Sequence, residues 1–343
     1  MYSKENPYIS VVLSTRNDFY SDKSMADVLK KNLLTMLHNI KTHKIYTEIV
    51  ITEWNPPPET ESLYDALKDI GSNDYTKIRI ITVPPEIHKS YKFSDKRNLI
   101  GEISGNVAIK RASGEFILHK SSDTFFSESI FRFIANNPLD PKCFYRADRV
   151  EVGCEFRNDK NWEEMFESNI ISRSEHSGDG PYKSNSGDFI LASKKAWNAI
   201  RGFPESDTVY LLGPDGETLC AFLGLGLNQV CLDDSHSVYK ISHGGTYQNR
   251  MQDYYMKTKN IKNSFRIVNN MFVFLGVYSL YKISGRFILG VLNIPKSNIS
   301  GVISRSVYRQ HLTSQLRMLL FGGGFFQSKN WGLGNYKFDE KKL

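Results

Sequence analysis

The sequence is poor in cysteine. Its four cysteines, Cys143, Cys154, Cys220 and Cys231, have no Cys-x-x-Cys spacing. Neither a disulfide framework nor a structural zinc site is therefore expected, and a reducing compartment is the default. The first residues contain no basic region followed by an apolar stretch, so we expect no secretory signal.

Long apolar runs are also missing. The most apolar segment, residues 271–292, is interrupted by Lys282 and Arg286. It falls short of the roughly 18 unbroken apolar residues that a transmembrane helix requires. The sequence contains no internal repeat. Its 343 residues exceed what one ordinary domain needs, which predicts a main domain over residues 1–250 and an appended region over residues 251–343.

Positive charge is concentrated in the appended region. Residues 251–343 carry 14 Lys or Arg and 3 Asp or Glu, whereas residues 1–250 carry 30 and 34. Basic residues mixed with Phe, Tyr, Leu and Ile are typical of an amphipathic helix on a membrane surface. Helices of this kind also pack on their own domain, or on a second subunit in a homo-oligomer. No nucleic-acid partner is expected, because no recognition motif accompanies the charge.

The N-terminal part alternates between strand and helix patterns. Three β-rich runs cover Tyr8 to Leu13, Glu48 to Thr52 and Ile78 to Val83, and helical patterns follow Ser24 and Glu61. This alternation predicts βαβ units and a doubly wound, mainly parallel α/β sheet. Loops that follow neighbouring parallel strands meet at one edge of the sheet, where ligands bind.

The segment from Asn106 to Ser127 is the candidate centre of the chemistry. We expect its helix to end at Gly114 in the left-handed conformation and a buried strand to follow. The strand leads into Ser121, Ser122 and Asp123, where a carboxylate could hold a cation and, through it, a phosphate. Alternatively, these three residues are only the turn and N-cap of a helix that starts near Phe125.

The motif AxGEFILxxxxD, from Ala112 to Asp123, resembles nucleotide-sugar-dependent glycosyltransferases of the GT-A type, family 2 in particular. The segments ISVVLSTRND and EIVITEW resemble the first two strands of the same family. The resemblance implies a GT-A fold for residues 1–250 and inverting transfer of a sugar from a nucleotide-diphosphate sugar to a glycan or lipid-linked acceptor. It also implies a role in cell-surface polysaccharide synthesis, in the cytoplasm or at the inner membrane face.

The resemblance implies a donor site at the sheet edge. Its nucleotide-sugar-binding residues are Thr15, Asn17, Asp18, Glu53, Arg97, Asn106, Ser122 and Asp123. Asp123 and His243 would hold Mn²⁺ or Mg²⁺. Ser121 stands where the family has the first acid of its Asp-x-Asp motif, so the metal requirement stays open. For the loop residues the alternative is an ordinary solvated side chain.

The acceptor side is implied by two later segments. GDFILASKKAWNAIRGFPE resembles the family segment under the acceptor sugar, with Asp188 and Trp197 as acceptor-binding residues; the alternative is a turn cap and a core tryptophan. LLGPDGETLCAFLGLG contains Asp215 and Glu217, one of which would be the catalytic base that deprotonates the acceptor hydroxyl. We favour Asp215, although Gly216 replaces the adjacent acid of the family and acids also favour helix N-termini.

Two other functions remain open from the sequence. A non-catalytic sugar- or membrane-binding protein with a GT-A fold would explain Ser121 and Gly216, which both stand where acids are expected. A nucleotidyltransferase is less well supported, because the loop after the first strand lacks the Gly-rich, basic phosphate-binding pattern.

Overall fold

The structure is a computed structural model that describes residues 2–20, 23–153, 161–173, 186–205, 214–242 and 329–343. Its strands, within these ranges, are β1 (Ile9–Thr15), β2 (Phe19–Tyr20), β3 (Lys23–Ser24), β4 (Thr47–Trp54), β5 (Thr76–Val83), β6 (Phe116–His119), β7 (Thr124–Phe126), β8 (Cys143–Arg146), β9 (Arg149–Val152), β10 (Ile170–Arg173), β11 (Ile190–Ser193), β12 (Asn228–Cys231), β13 (Val238–Ile241) and β14 (Asp339–Lys342).

The helices alternate with the strands. They are α1 (Met25–His43), α2 (Leu63–Leu67), α3 (Pro85–Lys89), α4 (Gly101–Arg111), α5 (Glu128–Asn136), α6 (Trp162–Glu167), α7 (Lys194–Ile200) and α8 (Pro214–Gly224). Helix α1 begins as the sequence predicts, because the Ser24 side chain accepts a hydrogen bond from the Asp27 N–H. Lys44 ends the helix in the left-handed conformation.

One large sheet has the strand order β12-β8-β11-β6-β1-β4-β5-β14. Its central strands β6, β1, β4 and β5 are parallel. Strand β11 runs antiparallel between β6 and β8, and β14 runs antiparallel to β5 at the edge. The expectation of an α/β fold with a large, mostly parallel sheet is confirmed.

Both faces of this sheet are buried, which explains the nearly continuous apolar runs of β1 and β4. Along β1, Val11 and Leu13 point into one core and Val12 into the other. The first core is covered by α1, α2 and α5, and the second by α4, α7 and α8. The sheet is therefore a middle layer between two layers of helices.

A smaller sheet has the order β10-β9-β13-β7. It carries its own apolar cluster, in which Phe125, Phe166 and Tyr239 pack against each other. Strand β7 follows β6 in the chain after a short turn. The turn that contains Ser121 to Asp123 therefore joins the two sheets, and both sheets contribute to its surroundings.

Three elements differ from what the sequence suggests, which is one strand over residues 143–152, a helix that starts near Phe125, and Arg97 on the helix before Asn106. The run Cys143 to Val152 forms two strands, β8 and β9, in different sheets. Phe125 lies in β7, and the next helix begins at Glu128 after the N-cap Ser127. Arg97 has an extended backbone after a 3₁₀ turn, and helix α4 starts only at Gly101.

The C-terminal segment, residues 329–343, returns to the main domain. Strand β14 pairs with β5, so the described end of the appended region is a strand and not a helix. Arg111 binds the segment by donating to the carbonyl oxygens of Gly332 (2.7 Å), Leu333 (2.9 Å) and Tyr336 (3.0 Å). The Glu205 carboxylate accepts from the Gly332 N–H at 2.7 Å.

Residues 243–328 lie outside the described ranges, and with them His243 and most of the basic appended region. Within the part of the chain that the structure describes, no helix combines the length and the apolar character that crossing a membrane requires.

Gly114 is not left-handed, contrary to the sequence prediction, because helix α4 already ends at Arg111 with Ala112 as its C-cap. The glycine is required for another reason. A Cβ at this position would lie 2.5 Å from the Ser10 nitrogen and 2.7 Å from the Ile9 carbonyl carbon. Both are backbone atoms of β1, so neither can move away easily.

The variant Gly114→Ala is expected to lower the free energy of unfolding by about 1–3 kcal/mol, because the added methyl group forces β1 and the α4–β6 connection apart. Urea unfolding measures the change. Gly101→Ala is the matched control, since its added Cβ has only the Arg97 side chain at 4.0 Å nearby. Equal stability of the two variants would contradict the packing explanation.

Candidate functional site

Two of the predicted site residues, Asp123 and Asp188, come together where β6 ends and β11 begins. These strands are antiparallel neighbours, with His119 opposite Ile190. The turn after β6 and the 3₁₀ turn Ser186–Asp188 before β11 therefore lie at the same edge of the sheet. This places Asp188 close to Ser121 and Asp123, although Asp188 follows them in the chain by more than 60 residues.

Asp188 binds side chains from both sheets. Its Oδ1 accepts from the Ser121 hydroxyl at 2.7 Å, and its Oδ2 accepts from Arg149 Nη1 at 3.1 Å. Lys240 Nζ lies 3.5 Å from Oδ1. The Lys240 ammonium also contacts Asp123 Oδ1 at 3.3 Å. These five residues, Ser121, Asp123, Arg149, Asp188 and Lys240, are called the Asp188 cluster below.

Lys240 carries its charge in this cluster. Burial alone would lower the pKa of Lys240, but the carboxylates of Asp123 and Asp188 outweigh burial and raise it well above its ordinary value. Its side chain is 19% exposed and that of Asp123 is 17% exposed. The Lys240–Asp123 ion pair is therefore largely enclosed but still reached by solvent, as a ligand-binding group must be.

A second lysine lies beneath the cluster. Lys120 is fully buried, donates to Asn32 Oδ1 at 2.9 Å and lies over the Phe126 ring at 5.2 Å. Burial lowers its pKa to about 7, against the attraction of the Asp123 and Asp188 carboxylates. The pKa of Lys120 is therefore lowered and that of Lys240 is raised, although both lysines feel the same two carboxylates.

Asp215 lies in the first turn of α8, beside the backbone of Gly187. A Cβ on Gly187 would lie 2.6 Å from Asp215 Oδ2, so only glycine permits this approach. Burial raises the pKa of Asp215 to about 7, and the nearby carboxylates of Glu102 and Asp188 add to the rise. Arg146 and a hydrogen bond with the Gly187 backbone oppose it.

The two candidate bases lie close together in the chain. Asp215 and Glu217 are both in the first turn of α8, and both are partly exposed. The raised pKa of Asp215 is the property of a general base that works near neutral pH. Asp215 therefore has a property expected of the base that the sequence analysis favours.

The four residues expected around the nucleoside lie at the ends of β1 and β4 or in the loop after β1, but three are engaged within the protein. Thr15 is buried, and the Asn17 side chain donates to the Glu61 carbonyl at 2.7 Å. Glu53 is buried and accepts from the Leu63 N–H at 2.8 Å and from Thr82 at 3.1 Å.

Asp18 is the more open of these four, with a side chain that is 31% exposed and paired with Arg16 at 3.0 Å. Burial raises the pKa of Asp18 above its ordinary value, and the Arg16 charge opposes that rise. Asp18 is therefore the member of this group that the structure leaves accessible to a ligand.

Asn106 and Trp197 lie in the interior. The Asn106 side chain donates to Phe203 O (2.8 Å) and Glu205 Oε1 (2.9 Å) and accepts from the Phe203 N–H (2.7 Å). Trp197 is fully buried and donates to Ile117 O at 3.1 Å. Both residues hold α4, α7 and β6 together. For Trp197 this arrangement corresponds to the core-packing alternative.

Arg97 is paired with Glu102 at 3.6 Å, and its side chain is 38% exposed. Glu102 is also one of the acids that raise the pKa of Asp215. Ser122 is at the limit of burial, 9% exposed, in the turn after β6. Arg97 is therefore linked to Asp215 through Glu102, and Ser122 is a nearly buried residue next to Ser121 and Asp123 in the chain.

The described residues around Asp123 do not form the donor set of a divalent metal, and His243, the other expected ligand, lies outside the described ranges. Within the described ranges no group of three or more His, Cys, Asp or Glu side chains could hold a metal ion. The ammonium of Lys240 contacts Asp123 Oδ1, and the Ser121 hydroxyl, in place of an acid, donates a hydrogen bond to Asp188. Mg²⁺ and Mn²⁺ instead prefer several oxygen ligands without a competing cation.

Comparisons with known proteins add little. No protein-family model and no curated protein matches this chain. Three solved structures of S. aureus TarS residues 1–349 are similar to this chain, each at 15% sequence identity. One is of TarS 1–349, one is of its complex with UDP, and one is of its complex with UDP-GlcNAc. Their TM-scores are 0.43, 0.43 and 0.44.

The aligned regions cover 70%, 68% and 69% of this chain, in the same order. They cover 62%, 60% and 59% of the TarS chains, so this chain spans less than two thirds of their length. A likeness of this degree supports no conclusion about function.

Several functional candidates were not predicted from the sequence. Lys240 and Arg149 lie on β13 and β9, two neighbouring strands of the smaller sheet. Lys120 directly follows β6 and precedes the polar triplet Ser121 to Asp123. A lysine inside the otherwise apolar strand pattern VYKI is the signal that could have indicated Lys240.

Proposed function

We propose that this protein is a glycosyltransferase that moves a sugar from a nucleotide-diphosphate sugar to a hydroxyl group of a glycan or lipid-linked acceptor, with inversion at the anomeric carbon. The observation that carries the proposal is Asp215, a partly exposed carboxylate with a pKa of about 7 next to the charged Asp188 cluster. The edge of a mostly parallel α/β sheet is where such folds bind ligands.

The proposed reaction assigns Asp215 a proton transfer. Its carboxylate accepts the proton of the acceptor hydroxyl while that oxygen attacks the anomeric carbon and the bond to the diphosphate breaks. A base with a pKa near the working pH is suited to this step, because it is ionised in a large fraction of molecules and still basic enough. The donor's diphosphate leaves with its negative charge and therefore needs positive groups nearby.

The resemblance of the sequence to family 2 of the GT-A type supports the same proposal, and it extends it to cell-surface polysaccharide synthesis. On that basis the acceptor lies at the inner face of the membrane. The basic composition of residues 251–343 fits a role in holding the protein at an anionic lipid surface.

A non-catalytic nucleotide-sugar-binding protein is the second candidate. The observation in its favour is that Ser121 and Lys240 engage Asp188 and Asp123, two of the acids on which the site depends. Under this candidate the nucleotide binds but no sugar is transferred. The two candidates therefore agree on ligand binding and differ in turnover.

Donor binding is tested by thermal unfolding of the full chain with UDP, GDP and dTDP, each at millimolar concentration and in the presence of MnCl₂. One nucleotide is expected to raise the melting temperature, because a ligand at 100 times its dissociation constant stabilises the folded state by about 2.7 kcal/mol. Uridine, guanosine and thymidine are the controls that lack the diphosphate. An unchanged melting temperature with all three nucleotides would reject both candidates.

A further inference from the structure

We infer that Lys240 is the cation that binds the donor's diphosphate, so that donor binding requires no divalent metal. This inference rests on the proposed function, because it concerns the same donor site. It starts from the ammonium of Lys240, which lies between Asp123 Oδ1 at 3.3 Å and Asp188 Oδ1 at 3.5 Å. The ammonium lies between the two carboxylates and contacts both of them.

A divalent cation bound to Asp123 would meet this charge directly. Two cations a few ångströms apart repel each other strongly in a partly buried site, where water screens them poorly. Metal binding would therefore require Lys240 to leave both carboxylates. The backbone of Lys240 belongs to β13 in the smaller sheet, where Lys240 lies opposite Glu151 of β9. The position of its backbone is therefore fixed.

Arg149 provides a second positive charge in the same place. It donates from Nη1 to Asp188 at 3.1 Å and from Nη2 to Glu151 at 2.7 Å. Arg149 and Lys240 thus flank the Asp188 carboxylate, and their side chains are 18% and 19% exposed. Asp188 fixes the positions of two cations at the solvent-accessible edge of the sheet.

The chemistry of the lysine suits a phosphate. An ammonium group has three N–H donors, and two carboxylates account for two of them within the described residues. The remaining N–H can donate to a phosphate oxygen, as lysines do in other phosphate sites. Ser121 is consistent with this arrangement, since its hydroxyl satisfies Asp188 where a second acid would add a negative charge.

The inference is tested by isothermal titration of the full chain with UDP, GDP and dTDP, each in EDTA and in MnCl₂. For the nucleotide that binds, we expect dissociation constants that agree within about threefold in the two buffers. Lys240→Gln should weaken binding in EDTA by about 10- to 100-fold, the value of one charged hydrogen bond. Lys240→Arg keeps the charge and should retain most of the affinity.

Two further variants make the test specific. Lys77→Gln removes a partly exposed lysine at the start of β5 that pairs with the exposed Glu5, and it should bind like the unmodified protein. The double variant Asp123→Asn/Lys240→Gln removes both charges of the ion pair. The Asp123 carboxylate is then not left in the site without Lys240. This variant should keep a cooperative unfolding transition and still bind weakly in EDTA.

The outcomes separate the inference from the function on which it rests. Binding that occurs only with MnCl₂, or full affinity of the double variant in EDTA, would overturn the inference and leave the proposed function standing. No binding of UDP, GDP or dTDP in either buffer would overturn the proposed function itself. Metal-independent binding that is lost in Lys240→Gln would support both.

Discussion

Asp215→Asn is expected to slow sugar transfer by about 10²- to 10⁴-fold, which is the usual contribution of a general base. An amide cannot accept the proton of the attacking hydroxyl, whereas its size and shape are close to those of the carboxylate. The measurement is the release of nucleoside diphosphate from the nucleotide sugar that matches the nucleotide bound. Nucleotide affinity should stay unchanged, because Asp215 is not part of the Asp188 cluster.

Glu217→Gln is the matched control, because Glu217 is the other acid in the first turn of α8. It is expected to change the rate only a few-fold. If Glu217→Gln abolished turnover and Asp215→Asn did not, the base would be Glu217. If neither variant reduced turnover, the proton-transfer role of this helix would be rejected.

The pH dependence of the unmodified enzyme provides a second readout of the same prediction. Asp215 must be ionised to act as a base, and its pKa is raised to about 7. The rate should therefore rise as the pH increases through about 7 and then level off. In Asp215→Asn this rise should disappear from the residual rate.

Glu48→Ala is expected to have the largest effect on stability, a loss of about 3–5 kcal/mol in the free energy of unfolding. Glu48 is 1% exposed on β4, in the centre of the large sheet. It accepts hydrogen bonds from Ser10 (2.6 Å), the Ser113 N–H (2.7 Å) and Arg79 (2.6 Å). Its removal leaves the Arg79 guanidinium without its buried partner. Urea unfolding measures the change.

The control for this variant uses the other end of the same arginine. Arg79 also pairs with Glu340 at 2.7 Å, and the Glu340 side chain is 32% exposed. Glu340→Gln is expected to cost about 0–1 kcal/mol, because exposed ion pairs contribute little. Equal losses in Glu48→Ala and Glu340→Gln would show that burial is not what makes Glu48 important.

Glu48 should also make stability depend on pH. Burial alone would raise the pKa of Glu48, but the hydrogen bonds from Ser10, Ser113 and Arg79 together lower it below its ordinary value of 4.5. A carboxylate with a lowered pKa stabilises the fold above that ordinary value and loses this contribution as the pH falls further. The acid-induced loss of stability below about pH 4.5 should be smaller in Glu48→Ala.

Much of the central sheet was predictable, because strands buried on both faces leave a strong local signal. The runs that become β1, β4 and β5 are continuous and apolar, and α1 has an N-cap and a helical stripe. The strands of the smaller sheet were harder to predict. They are short, such as β9 with four residues, and their partners come from distant parts of the chain.

The acidic residues of the candidate site could be predicted from the sequence, but its lysine and arginine could not. Asp123, Asp188 and Asp215 follow sequence segments with a recognisable pattern, and the fold brings them to one edge. Lys240 and Arg149 could not be assigned, because their role depends on the position of the smaller sheet beside that edge. Asn106 and Trp197 have polar and aromatic side chains that serve interior packing as readily as ligand binding.

The return of the C-terminal segment to the main domain changes where the chain can be cut. A truncation after residue 250 would remove β14 and leave the hydrogen-bonding groups of β5 open to other strands, a common cause of aggregation. It would also remove the carbonyl groups that bind Arg111. A minimal domain should therefore retain residues 329–343.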